Sequence, residues 1–346
     1  MLSTELIERI LSLLPQRTIG VLGDLFLDRY LDINAELNEP SVETGLTAYQ
    51  VTRVRSYPGA AGTVINNLSA LGVGRIFPIA YIGDDGEGYE LRKALPKIPG
   101  VIPDWTIMVP DRYTPTYTKP MLNEAGVANE LNRLDIKNRT PTPKEVEDLI
   151  LQKLDQAWPQ LDALIVLDQV SEVDCGVVTK RVRDHLSKLG EREPGKFVLA
   201  DSREQIALFS NVCVKPNGVE LKQLTSTGVG GSFLILSGRS VFATHGERGI
   251  ELWEPSGKTG IYDLKATLPA FPVSGPIDIV GAGDSCSAGI AAAMVSGATH
   301  QQAAAFGNLI ASITIQQIGL TGTASPEQVR TRWREVQGSN SGQRGS

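Results

Sequence analysis

In the second half of the chain, short apolar runs alternate with segments of helical period. A helical pattern over Lys144 to Ala157 precedes the run Ala163 to Leu167, and another over Val177 to Leu189 precedes Phe197 to Ala200, which ends at Asp201. Val212-Cys213-Val214 and Ser240 to Thr244 continue the series. Strands covered by helices on both faces read as unbroken apolar runs, so this rhythm predicts a mostly parallel central sheet between helices. Thr18 to Gly23 and Arg75 to Ile82 add two strands of the same kind. Asp24 and Asp28 follow the first, at the edge where open α/β sheets bind ligands, or where a carboxylate caps a turn. Leu2, Ile7, Ile10, Leu11 and Leu14 fall on one face of an opening helix. The chain closes with helices over Ser285 to Ser296, Gln301 to Gln317 and from Pro326. No internal repeat is visible.

Two segments break the rhythm. Leu31 to Ser56 and Thr114 to Asp135 are alternating, polar and Thr-rich, which predicts exposed β-structure. They could pair into one small sheet, a lid over a site, or stand as two unrelated hairpins. Between them, Pro58-Gly59-Ala60-Ala61-Gly62-Thr63 opens a helix that Gly72 ends. Small residues there admit a ligand close to the backbone, and tight packing explains them equally well. The expected organisation is one α/β domain over residues 1–335 with both lid segments inserted. The Gly, Ser and Gln of residues 336–346 predict a disordered tail.

With 41% hydrophobic residues and a formal net charge of −6, the chain has material for a large core. The acidic balance argues against nucleic acid as the partner. Cys175, Cys213 and Cys286 have neither metal-ligand spacing nor even pairing, which points to a reducing compartment. No apolar run reaches the roughly 18 residues that span a bilayer, so the expectation is a cytoplasmic protein without a membrane partner. Ser256-Gly257-Lys258-Thr259 lacks the first glycine of a P-loop, since Leu252 stands there, and reads as a hairpin turn. Gly228-Val229-Gly230-Gly231 lacks the third glycine of a dinucleotide fingerprint. His185, His245 and His300 support neither a zinc site nor a serine triad.

Chemistry concentrates in Asp278-Ile279-Val280-Gly281-Ala282-Gly283-Asp284, which runs into small residues from Ser285 to Val295. A tight turn there delivers a helix N-terminus with outward N–H groups, an anion site. Asp284 is either the cap of that helix or the base beside a migrating phosphoryl group.

This stretch is similar to the carboxy-terminal signature of the ribokinase/PfkB family of carbohydrate kinases. Other motifs follow in family order. Gly23-Asp24-Leu25-Phe26-Leu27-Asp28-Arg29-Tyr30 resembles the first-strand motif of the heptose kinase branch, and Pro58 to Gly72 the first family signature. Gly83-Asp84-Asp85-Gly86 resembles the segment after the second strand, Lys215-Pro216-Asn217-Gly218-Val219-Glu220 the Asn-x-x-Glu element, and Thr244-His245-Gly246-Glu247-Arg248-Gly249 the nucleotide loop. The resemblance implies a ribokinase-like fold with a small β-sheet lid and transfer of the γ-phosphoryl group of ATP to a hydroxyl of a sugar or sugar phosphate. It makes Asp284 the catalytic base and the amides of Gly281, Ala282 and Gly283 the anion hole. Asn217 and Glu220 would organise Mg²⁺ through water, and Asp278 would sit at a K⁺ site. Thr244, Gly246 and Asn308 would line the nucleotide path, while Asp28, Gly59, Thr63, Lys119 and Glu130 would face the acceptor. Apart from the resemblance, the open edges of a small lid sheet need cover, which predicts a homodimer through the lid.

The chain departs from the family pattern at the acceptor. Thr63 stands where the first signature carries asparagine, and a hydroxyl lacks the reach and paired donor and acceptor of an amide. Met121 replaces a basic residue two positions after Lys119, and Glu39-Pro40-Ser41-Val42-Glu43 does not reproduce the heptose kinase motif. A nucleoside kinase of the same fold and a catalytically silent sugar or nucleotide binder are the alternatives.

Overall fold

The computed structural model describes residues 2–124, 127–225, 237–257, 260–319 and 321–342. Among them nine strands form the central sheet, in the order Tyr262–Leu268, Ile250–Pro255, Val241–Thr244, Cys213–Val214, Phe197–Ser202, Ala163–Asp168, Thr18–Gly23, Arg75–Gly83 and Thr106–Val109. Pairing is parallel from Val241–Thr244 across to Thr106–Val109, and antiparallel in the hairpin at the opposite edge. That hairpin turns through the Ser256 region as expected, with Ser256 N–H donating to Ile261 O, although Lys258 and Thr259 lie outside the described residues. The Gly228 to Gly231 stretch lies outside them too.

Thr18–Gly23 and Ala163–Asp168 are buried along their whole length, which is why both read as apolar runs. Ile10, Leu68, Ile150, Leu186, Ile290 and Leu309, each from a different helix, join one continuous core with these strands. Each such side chain contributes about 1.5 to 3 kcal/mol through the apolar area it removes from water. The chain leaves Thr18–Gly23 toward Thr106–Val109 on one side, then returns to build the sheet outward from Ala163–Asp168 on the other. The strand order therefore reverses between these two central strands, and the crevice at their carboxyl ends is where such folds bind ligands.

A second, five-stranded sheet stands apart, with Leu134–Ile136, Thr116–Glu124, Leu25–Asn34 and Val51–Ala60 in order and Val127–Glu130 added to Thr116–Glu124. Both polar β-segments enter this one sheet. Its first strand starts at Leu25, six residues before the expected boundary, because Leu25 to Leu27 are buried and carry no polar alternation. Asp24 alone separates this strand from the central one. It is buried, and its carboxylate accepts from the N–H groups of Gln169 (2.8 Å), Val170 (3.0 Å) and Val177 (2.7 Å). Asp24 thus locks the switch point, and its partners within the protein make it structural, not a substrate contact.

The helix expected from Val177 begins instead at Lys180, where Thr179 caps it through Val182 N–H, while the Val177 N–H upstream is donated to Asp24. At the carboxyl terminus the helix Pro326–Gly342 runs through residues 336–342, where a disordered tail was expected. Ser325 accepts from Gln328 N–H at its start, and Trp333 packs onto the core, so a nucleated helix propagates through poor formers at little cost. No helix among the described residues is long and apolar enough to cross a membrane.

Candidate active site

Gly281 adopts the left-handed conformation (φ 78°, ψ 4°) and stands before the helix Ala282–Val295 with no side chain capping it. Asp284 is therefore inside the first turn and not at the cap, which removes its reading as the helix cap. The Ala282 N–H turns back to Ile279 O (3.1 Å), while those of Gly281, Gly283 and Asp284 have no carbonyl partner among the described residues. Three N–H groups at this helix start are thus left without a backbone acceptor, and Ala282, one of the three expected, is not among them. A Cβ on Gly281 would meet Thr321 Cγ2 at 2.5 Å and Thr63 Cγ2 at 3.4 Å, so Thr63 is packed against the start of this helix.

Lys215, 4% exposed, bonds Asp201 Oδ2 (2.8 Å) and places its Nζ 3.6 Å from where a Gly283 Cβ would be. Burial alone would lower its pKa, but Asp201 and the neighbouring Cys286 and Asp284 raise it above the ordinary lysine value. The half-buried Asp284 carboxyl shows the reverse balance. Burial and the Asp201 charge push it up to about 7, against the pull of Lys215 and Arg203. That places a base near neutrality beside free amides and a fixed cation.

On the nucleotide side, Asn217 and Thr244 are joined by a β-bridge, which brings the Asn-x-x-Glu element and the loop together. Asn217 Oδ1 accepts from Val219 and Glu220 N–H, and Glu220 accepts from Asn217 N–H and Nδ2 (both 2.7 Å). This is a closed capping box. Burial raises the Glu220 pKa, opposed by its bond from Asn217 N–H and reinforced by Asp201. Gly246 has a positive φ (58°) and open space where a Cβ would stand, leaving its backbone accessible. Asn308 is 7% exposed, and its amide donates to Leu268 O and Pro269 O. Asp278 accepts from Val280 and Gly319 N–H, bracing the loop before the anion hole. No cluster of three or more His, Cys, Asp or Glu side chains fit to hold a metal occurs among the described residues.

The acceptor side is built on the small sheet. Asp28 on Leu25–Asn34 lies 3.8 Å from Lys119 Nζ, and Lys119 also donates to Tyr30 OH (3.2 Å) and lies over its ring. A Cβ on Gly59 would meet Asp28 Oδ2 at 2.4 Å, so only glycine leaves that carboxylate its place. Burial raises the Asp28 pKa, and Lys119, Arg133 and Arg203 oppose it. Glu130 is exposed, opposite Met121 across the sheet, and its charge acts on Lys119.

Residues 27–328 match the pfkB family carbohydrate kinases. The chain belongs to that family. It is 25% identical over 326 residues to the bifunctional protein HldE of Bradyrhizobium sp. (strain ORS 278) and 27% identical over 322 residues to that of Gluconobacter oxydans (strain 621H). These matches cover 91% and 90% of this chain but 63% of each relative, so the chain spans less than two thirds of their length. It resembles the structure of phosphofructokinase-2 from Escherichia coli in complex with potassium (TM-score 0.66, 17% identity, 93% of this chain and 99% of that one). It also resembles Arabidopsis thaliana ribokinase complexed with ribose and ATP (TM-score 0.61, 17% identity, 91% and 98%). The fold is ribokinase-like.

Three residues near the crevice of this pfkB family member, Lys215, Asp201 and Arg203, had no role in the sequence reading. Each stands at the carboxyl end of a parallel strand or just beyond it, beside an apolar run. A charged residue in that position was the available signal. A serine, a histidine and a glutamate do meet elsewhere, at Ser240, His300 and Glu254, but both partners share His300 Nδ1. One nitrogen cannot relay a proton between them.

Proposed function

We propose that this chain transfers the γ-phosphoryl group of ATP to a hydroxyl of a sugar or sugar phosphate. The observation that carries the reading is the meeting, at one helix mouth, of free amides, the immobilised Lys215 and a carboxylate whose pKa is pushed up to about 7. In this reading Asp28 and Lys119 hold acceptor hydroxyls, and Asp284 takes the proton of the attacking one. The free amides and Lys215 hold the phosphoryl charge. Gly246, with its open backbone, and Thr244 take the triphosphate. Mg²⁺, when bound, neutralises phosphate charge and aligns the triphosphate for in-line attack. Both Glu220 oxygens already accept from Asn217, so this pair suits a hydrated ion held through water. Asp278, with its oxygens spent on Val280 and Gly319, would serve a K⁺ site by folding its loop. Asn308 would act on the nucleotide path by fixing the Leu268 and Pro269 carbonyls.

We also propose that two copies associate through the small sheet, in the aqueous interior of the cell. Val51–Ala60 is an edge strand, and Val51, Val54 and Tyr57 on it are exposed.

The kinase reading is tested by ATP consumption across sugars, sugar phosphates and nucleosides. Turnover with a sugar or sugar phosphate is expected. Turnover with nucleosides alone would shift the assignment within the fold, and thermal stabilisation by a sugar without any turnover would make the chain a binder.

A further inference from the structure

Arg203 belongs to none of the signature motifs, yet it enters the crevice directly after Phe197–Ser202. Its N–H donates to Asp168 O (3.2 Å) and its Nε to Gln169 Oε1 (2.9 Å). Gln169 is itself fixed, because its N–H donates to the buried Asp24 carboxylate. The exposed guanidinium is thus held at its Nε by one hydrogen bond beside the switch point. Neighbouring arginines are consumed by carboxylates, Arg183 by Asp168 and Asp174 and Arg133 by Asp135. Among the described residues the Nη groups of Arg203 meet none. Its charge nevertheless acts on both Asp28 and Asp284, and its backbone stands two residues after the Asp201 that holds Lys215.

A guanidinium anchored at Nε presents its Nη donors as a rigid fork that matches two oxygens of a phosphoryl group. Lys215, tied to Asp201 and buried beside Gly283, already supplies one fixed cation at the helix start. We propose that Arg203 receives the phosphoryl group in transit from the acceptor side, opposite Lys215, and stabilises the charge on its equatorial oxygens. This rests on the kinase reading. In the step itself the bond from the γ-phosphorus to the ADP oxygen breaks as the bond to the acceptor oxygen forms. The acceptor proton passes to Asp284, and Arg203 stays protonated throughout.

The test is steady-state kinetics of Arg203→Gln and Arg203→Lys beside the wild type, with the acceptor found by the screen. Arg203→Gln should lower kcat by about 10²-fold or more, as loss of a transition-state donor does, with the ATP KM little changed. Arg203→Lys should recover part of that loss. Since the Arg203 charge also favours ionised Asp284, the acidic limb of the kcat profile should move to higher pH in Arg203→Gln, which loss of a merely structural residue would not cause. Gln169→Leu, which frees the guanidinium but keeps its charge, should give a smaller loss of kcat and serves if Arg203→Gln misfolds. Without turnover, wild type should bind ADP with aluminium fluoride more tightly than ADP alone, and Arg203→Gln should lose that gain. Unchanged kcat with a raised KM confined to phosphorylated acceptors overturns the proposal, assigning the fork to the acceptor's own charge. An active wild type with Arg203→Gln indistinguishable from it sinks the proposal alone, whereas a wild type inert toward every acceptor sinks the kinase reading first.

Discussion

Asp284 carries a conflict between stability and chemistry. Its pKa rises from an ordinary 3.8 to about 7 in the folded protein, so between those values the native state holds a proton that the unfolded chain has released. Stability contributed by that proton is present at low pH and falls away as pH rises toward 7. Replacing Asp284 by Asn should therefore stabilise the protein at pH 8, on the order of 1 to 2 kcal/mol, and hardly at pH 4, as urea unfolding at the two pH values would show. Turnover should drop by about 10² to 10⁴, with substrate affinity retained. Wild-type turnover should itself climb through pH 7 as the base ionises. A variant that is both less stable at pH 8 and fully active per folded molecule would strip Asp284 of its role. Ala60 shows what sequence cannot tell at this scale. Alanine stands second in a signature that usually carries two glycines, and only the backbone reveals φ 52°, ψ −112°, a strained conformation for any residue with a Cβ. Ala60→Gly should relieve that strain and, after the greater entropy of glycine in the unfolded chain, raise stability by about 1 kcal/mol in thermal melts.

At the scale of elements, the helix over Lys144–Ala157 and the central strands were legible because burial on one or both faces writes a period into the sequence. The strand Leu25–Asn34 was not. It begins in the core and ends in the small sheet, so its burial changes halfway and no single period describes it. The Asn217 to Glu220 element was legible as a motif but not as a structure: its four residues close a capping box that folds without any ligand. Helix start and the proposed ion site therefore share one pair of side chains. Glu220→Gln keeps a neutral acceptor toward Asn217 and should cost less than about 1 kcal/mol of stability, while raising the magnesium concentration needed for half-maximal turnover. An unchanged magnesium requirement would leave Glu220 as a cap and nothing more.

For the whole molecule the central question is how the small sheet rides on the core. Arg112, buried at one crossing, donates to Thr140 O and Thr140 Oγ1 at the return crossing and to Cys175 O beneath them. Asp24 pins the third passage of the chain. The crossings are hydrogen-bonded to the core, yet the outer part of the sheet is bare: Val51 and Val54 are exposed on an edge strand, and Leu134 is exposed on the opposite edge. Unpaired strand edges with apolar side chains attract a second strand, and a twofold pairing of identical edges would cover both at once. Wild-type protein should accordingly sediment as a dimer at micromolar concentration. Val54→Asp places a charge in that contact without touching the core, so it should yield a folded monomer with an unchanged unfolding midpoint at high dilution, where wild type is monomeric too. A wild type that stays monomeric at every concentration, or a Val54→Asp variant that stays dimeric, would move the interface elsewhere or abolish it, and the bare strand would then have to find its cover in closure over bound substrate.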